Sequence, residues 1–347
     1  MHKKIICAAL WTVTVTYGPA IAQEYPTKPI RYIVPFGSGG PTDTQARWVA
    51  QKLNAAFGQT VIVDNRPAAG GVPGTAAVAK AAPDGYTLLA GNPGPLTVAP
   101  AISLNVPYDP LRDFTPVTLV AKSPSVLIVH PALPAKNVRE FVALAKARPG
   151  KLNYGTPGVG TVGHLSTEAF AHLAGINVMH VPYKGGVSQY TIELISGYID
   201  FASLQLFNVA PMVKQGKLRA LGITSRERSV AMPELATFNE QGVKFENYNW
   251  NGVLLPAKTP SAIVARIYGV LAAAIKENRE LFTGQGQEPG GENSEQFSEF
   301  LRAEIERYEK VARAANIPKQ WFVSKNRGGV LARVICQVHD KARALRL

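Results

Sequence analysis

Ile30-Arg31-Tyr32-Ile33-Val34-Pro35-Phe36-Gly37-Ser38-Gly39-Gly40-Pro41-Thr42-Asp43 is the stretch from which the fold of this chain can be read. Ile30 to Val34 is a β-rich run stopped by Pro35-Phe36-Gly37, and the glycine-rich loop after it leads into a helix. Thr42 is expected as the N-cap, with Gln45 three residues on completing a capping box. Ala46, Val49, Ala50, Leu53 and Phe57 recur at helical spacing, and Gly58 ends the pattern. A strand at Thr60 to Val63, Gly70-Gly71, a helix from Gly74 to Ala81, a turn at Pro83-Asp84-Gly85 and a strand at Tyr86 to Ala90 follow. Alternating strands and helices of this kind imply a parallel sheet covered by helices.

The same device recurs in the middle of the chain. A second lobe is expected to begin near Ser123-Pro124, with a strand at Val126 to Val129 and a helix from Val138 to Ala147 closed by Pro149-Gly150. A short strand at Leu152 to Gly155 then meets a second glycine-rich loop, Thr156-Pro157-Gly158-Val159-Gly160-Thr161-Val162-Gly163, and a helix from His164 to Ala174. Further strands are expected at Val178 to Val181, Ile199 to Ala202 and Leu218 to Ile223, and later helices around Ile263–Asn278 and Ser294–Ala315.

Helix N-termini present unpaired N–H groups and the positive end of the helix dipole, so both loops are candidate anion sites. They carry little charge: residues 153–167 contain no Lys or Arg, and residues 35–46 contain only Asp43. An anion would therefore be held by backbone N–H groups and by the hydroxyls of Ser38, Thr42, Thr156 and Thr161. The alternative is two ordinary tight turns that need glycine for positive φ. Two such loops in two lobes favour a cleft with an anion-binding wall on each side. Asp43, in the first turn of its helix, either supports the dipole or selects a ligand amine, hydroxyl or water.

Rival chemistries are weak. Gly158 to Gly163 matches G-x-G-x-x-G, but the strand after its helix ends in Pro182-Tyr183-Lys184-Gly185-Gly186 without the acidic residue that a dinucleotide ribose needs. A nucleotide-dependent oxidoreductase is thus disfavoured. His164, Glu168 and His172 lie four apart on one helix, yet no ligand from another element is in sight; a loop-side His164 and an exposed Glu168–His172 pair are expected instead of a metal. Ser188 lacks the second glycine of a nucleophile elbow, and there is no P-loop. No catalytic residue, metal or cofactor is expected.

The ends are set aside. Residues 1–22 read as a signal peptide: Lys3 and Lys4, a short apolar run, and Ala20-Ile21-Ala22 before Gln23. The apolar run is well short of the ~20 residues that span a bilayer. The mature protein is expected in the periplasm, with Cys336 its sole cysteine and no internal disulfide. Of the formal charge of +13, much lies in the signal and in residues 319–347, where seven basic residues face only Asp340. That tail is read as a disordered basic extension, and the body shows no basic stripe with interleaved aromatics, so no nucleic acid is expected.

The pattern Tyr25-Pro26-x-Lys28-Pro29-Ile30 … Val34-Pro35-Phe36-x-x-Gly39-Gly40-x-x-Asp43 resembles the substrate-binding proteins of tripartite tricarboxylate transporters, the Bug receptors. Asn65-Arg66-Pro67, Pro83-Asp84-Gly85-Tyr86-Thr87-Leu88-Leu89, Pro107-Tyr108-Asp109-Pro110, His180-Val181-Pro182-Tyr183-Lys184-Gly185 and Gly216-Lys217-Leu218-Arg219-Ala220-Leu221 fit the same family. The resemblance implies an α/β type II periplasmic-binding-protein fold: lobe 1 from residues 23–123 plus 249–318, lobe 2 from 124–248, joined by hinge strands. It implies a periplasmic receptor that closes on a small carboxylate and delivers it to membrane permease subunits, or, alternatively, signals to a sensor protein. A monomer is expected.

The ligand-binding set carried over from the resemblance is Phe36, Ser38, Gly39, Gly40, Thr42 and Asp43 in the first loop, with Asn92. From the second lobe it takes Thr156, Gly158, Gly160, Thr161, Val162, His164, Tyr183, Gln205 and Phe207. Val162-Gly163 and the Leu204-to-Asn208 segment depart from the usual pattern, and Phe207 is read either as core or as the wall of a pocket for a bulky ligand. Hinges are expected near Lys122–Ser125 and Asn249–Val253.

Overall fold

The computed structural model describes residues 25–314, 317 and 319, apart from 160, 184 and 185. The signal segment 1–22, the tail beyond 319 and Gly160 therefore lie outside the described residues. The chain runs β1 (Ile30–Val34), α1 (Pro41–Phe57), β2 (Val61–Asn65), α2 (Val72–Ala79), β3 (Thr87–Gly91), α3 (Ala99–Ile102) and β4 (Phe114–Val129). It continues through α4 (Val138–Ala147), β5 (Asn153–Thr156), α5 (Val162–Ala174), β6 (Met179–Pro182), α6 (Gly186–Ile195), β7 (Phe201–Gln205), α7 (Leu206–Lys214) and β8 (Arg219–Ile223). It closes with β9 (Tyr248–Pro256), α8 (Ser261–Glu277), α9 (Arg279–Gly284), β10 (Glu288–Pro289) and α10 (Ser294–Ala314).

The strands lie in the order β2-β1-β3-β9-β4-β7-β5-β6, with β8 and β10 each paired to β4. β1, β2 and β3 are parallel, as are β5, β6 and β7. β9 runs antiparallel to β3 and β4, and β4 antiparallel to β7 and β8. β4 is 16 residues long because it serves both halves. It pairs with β9 as far as Pro124–Tyr248, then with β7 from Ser125–Gln205 onward. The chain crosses between halves at Pro124–Ser125 and just before Tyr248, slightly ahead of the expected second hinge.

Each half has its own core. Ile30 and Val34 pack with Val49, Leu53, Ile267 and Leu271 on one face of the first half. Ile33 and Leu89 pack with Trp250, Leu254, Phe297 and Leu301 on the other. In the second half Val129, Phe141, Tyr154 and Phe201 form one layer, and Val126, Tyr190, Leu194 and Val209 the opposite one. A parallel sheet covered on both faces explains why Ile30, Tyr32, Ile33 and Val34 of β1 are all buried, with only Arg31 exposed.

The structure corrects several local expectations. Thr42 is not the N-cap of α1: Gly40 is, and Pro41 takes the first helical position. Proline has no N–H to satisfy there and its fixed φ suits the first turn. α2 begins at Val72, not Gly74. The strand expected at Ile199–Ala202 lies at Phe201–Gln205. α6 and α7 were not anticipated; Pro211 inside α7 conceals it, because proline ordinarily breaks a helix interior.

Candidate functional site

Because β1, β2 and β3 run parallel, their carboxyl ends bring Pro35–Gly40, Arg66–Gly71 and Asn92–Gly94 to one sheet edge. β5, β6 and β7 do the same in the second half for the Thr156–Thr161 loop, Tyr183 and Gln205. Crevices at the carboxyl ends of such strands are where α/β sheets bind ligands.

The first loop is shaped by Asp43, whose side chain is 3% exposed. Its carboxylate accepts from the Gly39 N–H at 2.8 Å, Arg47 Nε at 3.0 Å and Asn65 Nδ2 at 2.9 Å. Asn65 Nδ2 also donates to the Phe36 carbonyl at 3.1 Å, tying the start of the loop to the same anchor. Burial pushes the Asp43 carboxyl up, but the hydrogen bonds from Arg47, Gly39 and Asn65 outweigh it and hold the group below its ordinary value. Asp43 thus closes the loop on itself, the task assigned above to Thr42 and Gln45, and is not free to select a ligand. Ser38 is exposed and Thr42 half-buried, and neither hydroxyl makes a hydrogen bond among the described residues. The N–H groups of Thr42 and Asp43 have no acceptor within the helix, as at any helix start.

Phe36 and Asn92 complete this edge. Gly71 and Gly94 leave room for the Phe36 ring: a Cβ on Gly71 would stand 3.1 Å from Phe36 Cζ, and one on Gly94 3.7 Å. Asn92 is buried and its Oδ1 accepts the Gly94 N–H at 3.0 Å.

In the second loop, Gly158 has φ 149, a conformation essentially reserved for glycine. Thr161 is the N-cap of α5: its Oγ1 accepts the His164 N–H and donates to the Gly158 carbonyl at 2.8 Å. Val162 and Gly163 follow as the first turn of the helix, placing its N–H groups toward the loop. Thr156 is buried, its Oγ1 lying 2.6 Å from His180 Nε2 and accepting the Gly158 N–H at 3.2 Å. His164 is buried and stacks on His180 with ring centroids 4.1 Å apart. Glu168 is not paired with His172; it accepts the Tyr154 hydroxyl at 2.5 Å, while His172 is exposed. No group of three metal-ligating side chains occurs among the described residues.

The rest of this edge is half-buried. The Tyr183 N–H donates to the Thr156 carbonyl at 2.8 Å, and its ring lies 6.3 Å from that of Tyr190. Gln205 precedes α7 and its Oε1 accepts from Asn208 at 3.1 Å. Phe207, in the first turn of α7, is half-buried and belongs to none of the core clusters, so it is not core.

Two contacts join the halves near these loops. Val98 and Ala101, just after Asn92, pack with Leu165 of α5 and Tyr308 of α10, flanked by Val162. Gly286 approaches Leu206 so closely that a Cβ there would lie 2.5 Å from Leu206 Cδ2. At the crossing itself, Asn247 meets Ser166 Oγ at 3.0 Å and Arg307 at 3.4 Å. Arg47, Asn65, His180 and Asn247 were not among the expected site residues. Of these, only Asn65 and His180 had a signal, as members of the family motifs. A separate groove of about 570 Å³ lies between α4, α7, β8 and residues 232–241. None of its lining residues belongs to either loop, and the helix start on its rim is already capped by Asn137 and Gln241.

Burial pushes the imidazoles of His164 and His180 down to about 4. The unfolded chain, with ordinary imidazoles near 6.5, therefore takes up protons first as the pH falls. The contribution of this pair to stability should decline from pH near 6.5 toward about 4 and level off below, once the folded form is protonated as well. Thermal midpoints measured across that range, with H164Q and H180Q as references, check this; an equal slope in wild type and both variants would overturn it.

Residues 45–317 match the family described as tripartite tricarboxylate transporter family receptor. The chain is 36% identical over 320 residues to Protein BugT of Bordetella pertussis, covering 90% of this chain and 98% of that one. Among solved structures it is similar to Rpa4515 of R. palustris with adipate, at 35% identity and a TM-score of 0.78 over 85% of this chain and 99% of that one. It is also similar to MatC of Rhodopseudomonas palustris with bound malate, at 31% identity and a TM-score of 0.72 over 83% and 99%. With two half-sheets that each bring a glycine-rich loop to a carboxyl edge, and with this likeness along most of its length, the chain belongs to the tripartite tricarboxylate transporter receptor family.

Proposed function

We propose that this receptor captures a small carboxylate between the two loops. Among the described residues, 25–124 plus 248–314 form one lobe, and 125–247 the other. The observation that carries the reading is the pairing of two weakly charged glycine-rich loops, each opening a helix at the carboxyl edge of its own parallel strands. The backbone N–H groups at the two helix starts, those of Thr42 and Asp43 on one side and of Val162 and Gly163 on the other, serve as donors to the anion. Ser38 and Thr42 add hydroxyls, while Phe36, Tyr183, Gln205 and Phe207 shape the remainder of the pocket. Relatives that hold adipate and malate support a dicarboxylic acid.

Capture works by closure: the halves bend at Pro124–Ser125 and near Tyr248, and the second loop completes the site. The closed receptor then delivers its ligand to membrane permease subunits from the periplasm, after removal of residues 1–22. It acts as a monomer, without catalysis, cofactor or nucleic acid.

Thermal unfolding against adipate, malate, aromatic acids and a nicotinamide dinucleotide tests this. A ligand at ~100 times its dissociation constant adds about 2.7 kcal/mol, which raises the midpoint by at least several degrees. Thr161→Val should abolish the ligand shift and lower the unliganded stability by about 1 kcal/mol, the value of a lost N-cap. A shift with the dinucleotide alone would sink the receptor reading.

A further inference from the structure

Beneath the second loop lies a polar cluster that the receptor role does not by itself require. Thr156 Oγ1 stands between two groups: it accepts the Gly158 N–H at 3.2 Å and lies 2.6 Å from His180 Nε2. His180 in turn lies under His164, ring centroids 4.1 Å apart at 30°, and against the Tyr154 ring at 5.1 Å. A threonine hydroxyl has one proton to give. If that proton goes to His180, the oxygen keeps its lone pairs for Gly158. If His180 donates instead, the hydroxyl proton turns to the Gly158 carbonyl, which is also 3.2 Å away. While neutral, His180 can accept this proton only as the tautomer with a bare Nε2; once protonated it can only donate, so protonation fixes the direction of the hydrogen bonds that hold the loop.

We propose that His180, stacked on His164, is a positioning residue for the second loop: as a neutral imidazole it accepts the Thr156 hydroxyl proton and so fixes the Gly158 N–H and the loop that follows. The inference rests on the proposed role of that loop in gripping a carboxylate, and it deepens that role by naming what holds the loop ready.

The surroundings favour the neutral pair. Two imidazolium rings stacked at this distance would repel, and burial opposes charge on either. Glu168 on α5 pulls the other way, but its carboxylate is engaged by the Tyr154 hydroxyl of β5. On α10, which packs against α5, Arg307 is neutralised by Glu304 at 2.8 and 2.9 Å. The β7 residue nearest the pair's Tyr154 neighbour is the apolar Phe201. Protonation of His180 would make Nε2 a donor and turn the Thr156 hydroxyl proton from His180 to the Gly158 carbonyl, changing the contact that holds Gly158.

The test uses the full mature chain, free of ligand, with backbone amide and imidazole resonances followed by NMR from pH 7 downward. The imidazoles of His164 and His180 should stay neutral well below 6.5, and the Gly158 and Thr161 amides should move in the same step as His180. H180Q can present its amide oxygen as acceptor to the Thr156 hydroxyl but cannot titrate, so it should keep the pH 7 amide positions and lose the step. H180L should shift both amides at pH 7 and weaken adipate or malate binding about tenfold, the factor that one lost hydrogen bond gives, while H180Q stays within about twofold by the same measure. Amides that stay in place in H180L, or that ignore the His180 titration, would overturn the proposal. If H180L does not fold, the presence or absence of the titration step in wild type and H180Q still decides it. If wild type binds neither adipate nor malate, the proposed dicarboxylate fails, while the amide readout still decides the role of His180.

Discussion

Asp43→Ala is expected to lower unfolding stability by about 2–4 kcal/mol and to abolish carboxylate binding, since it strips a buried charge from three donors at once. The Gly39 N–H, Arg47 and Asn65 all converge on that carboxylate, and Asn65 carries the constraint back to Phe36. Arg47 is largely exposed and regains water when the partner is lost, which keeps the estimate below that for a fully buried ion pair. Asp43→Asn keeps the shape and one acceptor oxygen, so it should cost about half as much by the same reckoning. The sign of the pH effect follows from the lowered carboxyl: its contribution is complete above the ordinary carboxylate value of 3.8 and is lost as the pH falls through the lower folded value. Urea unfolding and adipate titration measure both effects. An alanine variant with wild-type stability and affinity would show that the loop holds its form without Asp43.

Trp250→Ala should cost about 3–5 kcal/mol, the range for removing a buried large aromatic, and lower the thermal midpoint by about 10 °C. Trp250 is fully buried on β9, with Phe297 and Phe300 edge-on at 5.7 Å each. It stands opposite Lys122, two residues from the crossing between the halves. Loss of the ring should therefore also loosen the hinge, and adipate affinity should fall by more than the distance from the loops would suggest. Calorimetry with and without adipate separates these effects; a variant that loses stability but keeps full affinity would place Trp250 in the core of its lobe alone.

The comparison of Asp43 with Thr42 shows how the reading from sequence fails locally. A threonine before a helical pattern, with glutamine three residues on, satisfies the rule for a capping box. Pro41 overrides it by occupying the first helical position, and the acid at the third position does the tying, back to Gly39. Glu168 makes the same point. Helical spacing alone pairs it with His172, but Tyr154, fourteen residues earlier on β5, takes its carboxylate. Phe207 was ambiguous because hydrophobicity does not say which face of an unforeseen helix it occupies.

What the sequence by itself determined is the order of most elements though not α6 and α7, the two glycine-rich loops and the likeness to a receptor family, because these rest on periodicity and turn chemistry that act over a few neighbouring residues. The alternation of strands and helices also announced a parallel sheet covered by helices. Only the tertiary structure decided that β4 threads both halves, that Asn65 and Arg47 meet Asp43, and that His180 lies against Thr156 and His164. Those contacts join residues far apart in the chain, and which of several plausible donors reaches a given acceptor depends on strand register and helix packing, which no local pattern encodes.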